Sequence, residues 1–194
     1  MIRACAVIVL AQALWPADLA AQLGEVHLGG LVSYGSGNAY QGGAGLIGGI
    51  SAGRVVYVGA RWVYYTGDSS QESNALGTFT VEDRVDLYAA DVGAQYPAGP
   101  VEIVAGITIG AVRFSQESQP IPGQGTGKAE SAVATEFYLA PSFSVQVRVL
   151  GLLVIPEIMY PLSGSPDLAW PVDHKGAVFS VRLVVPIEVD RIRH

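Results

Sequence analysis

Residues 135–148, TEFYLAPSFSVQVR, divide in two when read alternately. Glu136, Tyr138, Ala140, Ser142, Ser144, Gln146 and Arg148 fall on one side; Phe137, Leu139, Pro141, Phe143, Val145 and Val147 fall on the other. Successive side chains of a strand point to opposite faces, so the stretch predicts a long strand with one polar and one apolar face. Two settings impose such a split. In a soluble sandwich or cavity barrel the apolar face meets protein or an apolar ligand. In a membrane barrel it meets lipid, and the polar face lines the lumen.

Composition favours the second setting. Half of the 194 residues are hydrophobic and only 14% are charged, where about 25% is usual for a soluble domain; the mean hydropathy is +0.36. One apolar run stands at the start, where Met1-Ile2-Arg3 precedes the stretch from Ala4 to Trp15. That run is too short to span a bilayer and suits a secretory signal, with residues 1–21 removed and 22–194 left as one barrel domain. Cys5 leaves with it, so the exported chain owes nothing to disulfides. What remains is apolar without another uninterrupted run of about 18 residues, as expected when each strand exposes half its side chains to lipid. The net charge of −6 excludes nucleic acid as an expected partner.

Outward from the opening stretch, the same alternation recurs at 24–35, 40–51, 55–65, 83–96, 101–114, 152–162 and 178–189. In the third of these, Val56, Val58, Ala60, Trp62 and Tyr64 oppose Tyr57, Gly59, Arg61, Val63 and Tyr65. The glycines of 40–51 suit a sharply curved wall and leave lumen space for large side chains opposite. Residues 152–162 alternate poorly, with Glu157 inward between Pro156 and Ile158. The eight strands are joined in turn by a short loop at Ser36 to Ala39, a tight turn at Ala52-Gly53-Arg54, a polar loop at 66–82, and a tight turn at Pro97-Ala98-Gly99-Pro100. A polar loop at 115–130, a tight turn at Val149-Leu150-Gly151 and a loop at 163–175 complete the order. Tight turns therefore fall on one end and longer loops on the other. A sandwich has no reason to sort its connections by parity, whereas an eight-stranded antiparallel up-and-down transmembrane barrel does, with tight periplasmic turns and longer extracellular loops.

This pattern resembles the small eight-stranded outer-membrane barrels of the OmpA and OmpX type. The resemblance covers about residues 24–189 and rests on the alternation, the loop parity and the aromatics near strand ends: Tyr34, Tyr64, Tyr65, Tyr88, Tyr96, Tyr138 and Tyr160. It implies the outer membrane of a Gram-negative-type bacterium, contact with outer-membrane lipid and lipopolysaccharide, and insertion by the barrel assembly machinery. Such barrels usually end on an aromatic residue read during sorting. Here Val189 is followed by Asp190-Arg191-Ile192-Arg193-His194, and Phe179 stands at the wrong end of its strand to substitute.

The inward-facing positions gather His27, Gln95, Gln146 and Glu188 with a charge set of Arg61, Asp91, Glu102, Glu136, Arg148, Glu157 and Arg182. An eight-stranded barrel is just wide enough for side chains to fill. Isolated charges there cost several kcal/mol each, so the set predicts a paired plug rather than an open pore. A narrow ion path or a partner-switching gate is the functional alternative. No catalytic, cofactor or metal site is expected: there is no HExxH, cysteine pair or calcium loop, and His174 beside Asp173 has no serine on the same strand face. The expected role is structural, or interaction through 66–82, 115–130 and 163–175. Two rivals belong to other classes. A barrel enzyme modifying lipid A would use His174. A secreted lipocalin-like barrel would turn Phe137, Leu139, Phe143, Val181 and Leu183 toward a small apolar ligand, and Glu136, Arg148 and Arg182 toward water.

Overall fold

Along residues 135–148 alternation has become burial. Tyr138, Ala140, Ser144 and Gln146 are buried inside a closed wall, while Phe137 and Phe143 stand on its exterior, 62% and 47% exposed. The computed structural model describes residues 23–52 and 55–188, so the expected signal segment and the tail from Val189 lie outside the described residues. The strands are β1 (Leu23–Gly35), β2 (Gly43–Ala52), β3 (Val56–Tyr65), β4 (Ser69–Asn74), β5 (Gly77–Ala98), β6 (Val101–Gly125), β7 (Glu130–Val149), β8 (Leu152–Met159) and β9 (Val178–Glu188).

Every neighbouring pair is antiparallel. The ring closes because β3 pairs with β5 and β1 with β9, which puts eight strands in the barrel and leaves β4 outside it. Closure removes the free edges that an open sheet would expose to lipid. Register stacks like with like on the outer wall. Trp62 lies opposite Tyr88, Tyr88 opposite Ala111, and Ala111 opposite Phe137, so three exposed aromatics share one hydrogen-bonded row. Leu28, Leu46, Val92, Ile107, Val181, Leu183 and Val185 cover the wall toward the tight turns, all exposed. An apolar surface of that extent is not sustained in water. Phe137, Phe143, Val181 and Leu183 are outside and Arg182 is buried inside, the reverse of the lipocalin-like arrangement.

Two expectations need correction. Residues 66–82 and 115–130 are mostly strand rather than loop: β4 folds back on β5 from Ser69–Glu82 to Asn74–Gly77, β6 runs to Gly125, and β7 resumes at Glu130. Above a membrane the outward face of a strand is polar: in 115–119 both faces are polar, and in 78–82 the apolar pair Phe79 and Val81 points inward, the reverse of the spanning part, while pairing continues. Tyr40, expected to start the second strand, ends a short 3-10 helix over 38–40 instead, with Ala39 and Tyr40 buried, and the strand begins at Gly43. Residues 152–159 alternate cleanly in burial despite apolar residues on both faces, because Leu153 and Ile155 point into the lumen.

The expected use of glycine in the wall is met inside the barrel. A Cβ at Gly49 or Gly59 would lie 2.6 or 2.4 Å from the Tyr57 hydroxyl, so these glycines make the space that Tyr57 occupies.

Candidate functional site

In the eight-membered ring β3 and β8 are diametrically opposed, and one side chain spans the gap. Arg61 on β3 donates from Nη1 and Nη2 to the two oxygens of Glu157 on β8, at 2.9 and 3.1 Å. Its Nε donates to Asp91 Oδ2 on β5 at 2.9 Å, and Nη2 lies 2.8 Å from Asp91 Oδ1. Arg182 on β9 closes on the far side of Glu157, donating from Nε to Oε2 at 3.1 Å and pairing through Nη2 with Oε1. Ser180 and Thr108 complete the carboxylates, donating to Glu157 Oε2 at 3.0 Å and to Asp91 Oδ1 at 2.7 Å. Two guanidiniums and two carboxylates cancel in charge, and the side chains of all four are at most 6% exposed. Bidentate, charge-assisted geometry of this kind is what a buried ion set needs to offset its desolvation.

Of the residues expected in the lumen charge set, Arg61, Asp91, Glu157 and Arg182 come together. The other three do not join them. Glu102 and Arg148 line a vestibule of about 240 Å³ at the tight-turn end, with Glu25 and Gln146. There Arg148, exposed at the rim, pairs with Glu25, which in turn lies 3.4 Å from His27 Nε2. Glu136 sits at the opposite end, where a Cβ on Gly164 would come within 2.8 Å of its Oε2. Parity alone put all seven inside; height along the axis, which parity does not give, separates them.

Above the ion set the lumen is filled by aliphatic and aromatic side chains. Val63, Tyr65, Leu87, Val112, Phe114 and Tyr138 are at most 1% exposed and fill the section. Over them lies the segment between β8 and β9, a true loop that folds back as a lid. Leu168 and Val172 pack on the core, and His174 is buried with its ring edge-on to Phe114 at 6.1 Å. The His174 Nδ1 is 3.0 Å from the Val172 carbonyl, while Asp173 Oδ1 accepts from the Lys175 amide. The β1–β2 connection locks onto the same loop, with Ala39 N donating to Asp173 O and Ser36 N to Ala177 O, both at 2.9 Å.

A residue expected in a loop latches this lid. Gln116, buried on β6, accepts from Trp170 N at 2.9 Å and donates to Trp170 O at 3.2 Å and to Asp83 Oδ1 at 3.0 Å. Its amide imitates a strand partner, and Phe79 packs on the Trp170 ring with centroids 5.6 Å apart. Gln116→Ala strands both backbone groups of Trp170. We expect the lid to open about tenfold more often, read as faster hydrogen exchange at the Trp170 amide, since an unmet buried polar group costs roughly 1–3 kcal/mol.

Asp83, beside the latch, titrates above the usual aspartate range because burial disfavours its charge; the Gln116 amide opposes the shift, and the Asp68 and Glu72 carboxylates add to it. A carboxyl raised in the folded state binds protons more tightly than in the unfolded chain. Stability is therefore fullest at acid pH and falls as pH climbs from the ordinary aspartate value through the raised one. Protection of the β4–β5 hairpin amides should be greater near pH 4 than at pH 7, and Asp83→Asn should reduce that difference.

The fold is similar to a solved major outer membrane protein from Thermus thermophilus, with a TM-score of 0.66 at 13% identity over 84% of this chain and 99% of that one. Ail, the attachment invasion locus protein of Yersinia pestis, matches at a TM-score of 0.46 and 14% identity over 82% of this chain and 93% of its own. The N-terminal β-barrel domain of Pseudomonas aeruginosa OprF gives 0.46 and 7% over 85% and 98%. No protein-family model matches the chain, and no curated protein does.

Proposed function

From the premise that this chain has the fold of a small outer-membrane β-barrel, we propose that it stands in the outer membrane of a Gram-negative-type bacterium as a non-conducting, non-catalytic barrel. Its tight turns face the periplasm, and its lid and β4–β7 extension face outward. The barrel assembly machinery would insert it. The observation that carries the reading is the sealed axis: Arg61 and Glu157 bridge the lumen, six apolar or aromatic side chains fill the section above, and the lid is tied down over both. With transport closed off, the part left to act is the extracellular sheet, built from β4 and the upper halves of β5, β6 and β7. Continuous pairing makes that segment rigid where loops would be mobile, which suits an interaction surface. His174 supports no hydrolytic role, since its ring is turned onto Phe114 and the Val172 carbonyl. The test is planar-bilayer recording of the refolded barrel. Stable single-channel steps would defeat this reading; an unmodified baseline agrees with it, provided the sample shows the heat-dependent gel mobility of a folded barrel.

A further inference from the structure

The outer wall of the barrel changes character over two rows of residues. The row of Trp62, Tyr88, Ala111 and Phe137 is apolar, and the next one up contains Tyr64, Asp86, Arg113 and Thr135. Above that, Arg84 pairs with Ser115 and Ser115 with Val133. Each row is two residues further along the strands, about 7 Å. Arg84 and Arg113 are therefore diagonal neighbours on adjacent strands, both pointing away from the lumen at the upper border of the apolar belt. Among the described residues, the outward wall from the aromatic row down to the tight turns holds no lysine or arginine.

The two guanidiniums line a groove of about 430 Å³ together with Tyr64, Ser115, Ser131 and Val133. Carboxylates are near, but they leave the donors largely available. Asp86, directly across from Arg113, accepts from the Trp62 indole at 3.3 Å. Glu82 and Glu117 reach Arg84 at 3.6 and 3.8 Å, with all three side chains about half exposed. Pairs that loose and that wet contribute little and exchange readily.

We propose that this groove binds the phosphate of an outer-leaflet lipid headgroup, with Arg84 and Arg113 as the donors and the Ser115 and Ser131 hydroxyls beside them. Guanidiniums suit phosphate because their planar forks give paired, charge-assisted hydrogen bonds. The groove's place on the wall selects the source. It opens sideways at the edge of the lipid-facing belt, between Tyr64 and Val133, where a soluble partner would have to displace lipid. A headgroup there has its acyl chains against the belt below. The inference rests on the membrane placement proposed above.

The experiment uses the full-length refolded barrel in mild detergent and diphosphorylated lipid A as probe, with retained lipid counted by native mass spectrometry. Dephosphorylated lipid A and inorganic phosphate form the comparison arms. Wild type should retain the diphosphorylated lipid at least about tenfold more tightly than the Arg84→Gln/Arg113→Gln double variant, and the dephosphorylated lipid no better than that variant does. Lys175→Gln, which removes an exposed lid charge, should leave retention unchanged. Equal retention by wild type and the double variant overturns the proposal. So does complete displacement by millimolar inorganic phosphate, which would make the groove a free-phosphate site. Both arginines are exposed and outside the core, so heat-dependent gel mobility should persist in the variants. A chain soluble without detergent would instead defeat the membrane placement itself, an outcome separate from either result.

Discussion

Glu157→Ala should destabilise the barrel by about 3–5 kcal/mol, the usual consequence of removing one partner from a buried ion pair. Glu157 receives bonds from Arg61, Arg182 and Ser180, and its side chain is 1% exposed. Without it Arg61 keeps Asp91, but Arg182 is left inside the wall with its carboxylate gone. Urea unfolding of the reconstituted barrel, followed by loss of the fast-migrating band, measures the change. The companion variant separates pairing from packing. Glu157→Leu combined with Arg182→Met removes both charges and keeps the volume, and it should recover most of the loss. A cost below about 1 kcal/mol for Glu157→Ala would mean that the ion set is decorative.

A single methyl group at Gly45 should be worse tolerated than one at Gly49, although both glycines face the lumen from β2. At Gly45 the new Cβ would lie 2.0 Å from the Trp62 carbonyl oxygen and 2.8 Å from the Val63 Cα. Those are backbone atoms of the paired strand, so relief requires β2 and β3 to separate and loosen their ladder. At Gly49 the contacts are the Tyr57 ring and hydroxyl, 2.6–2.8 Å away, so relief asks for a shift of one side chain and leaves the β2–β3 ladder intact. Gly45→Ala is expected to cost about 3 kcal/mol or more, toward the upper end for overpacking, and to yield little closed barrel on refolding; Gly49→Ala should cost about 1 kcal/mol. Similar refolding yields for the two would show that the wall at Gly45 has room the geometry denies.

How much of this could be read beforehand follows from what alternation encodes. A strand between lipid and a filled lumen has two unlike faces, so 135–148 and 178–189 disclosed both strand and orientation: Phe137 and Leu183 out, Tyr138 and Arg182 in. Parity also placed Arg61, Asp91 and Glu157 in the interior. It could not say that these three meet while Glu102 and Glu136 stand at opposite ends, because axial height depends on the stagger between distant strands. The β4 hairpin and the long upper reaches of β5 and β6 escaped for the same physical reason. Outside the membrane Ser69, Gln71 and Gln119 meet water, and in β5 the apolar side chains Phe79 and Val81 turn inward, so the pattern of an apolar outer face no longer holds. Gln116 was hidden too, since nothing local marks a glutamine in SQESQ as the latch of a loop some fifty residues on, at Trp170. Glu25 stands two residues from His27 and so shares its face, yet nothing local ties it to its partner Arg148, 123 residues away.

The central claim is the opposite orientation of two adjacent residues, and it can be measured on one strand. Single cysteines at Ser142 and Phe143, in a chain whose Cys5 is replaced by serine, would carry a nitroxide label in lipid vesicles. Power saturation with oxygen, which concentrates in hydrocarbon, and with a water-soluble nickel chelate reports what each label touches. The label at 143 should be relaxed strongly by oxygen, whereas the label at 142, inside the wall, should respond weakly to it. Equal oxygen exposure at both sites, or the greater exposure at 142, would contradict the barrel as drawn.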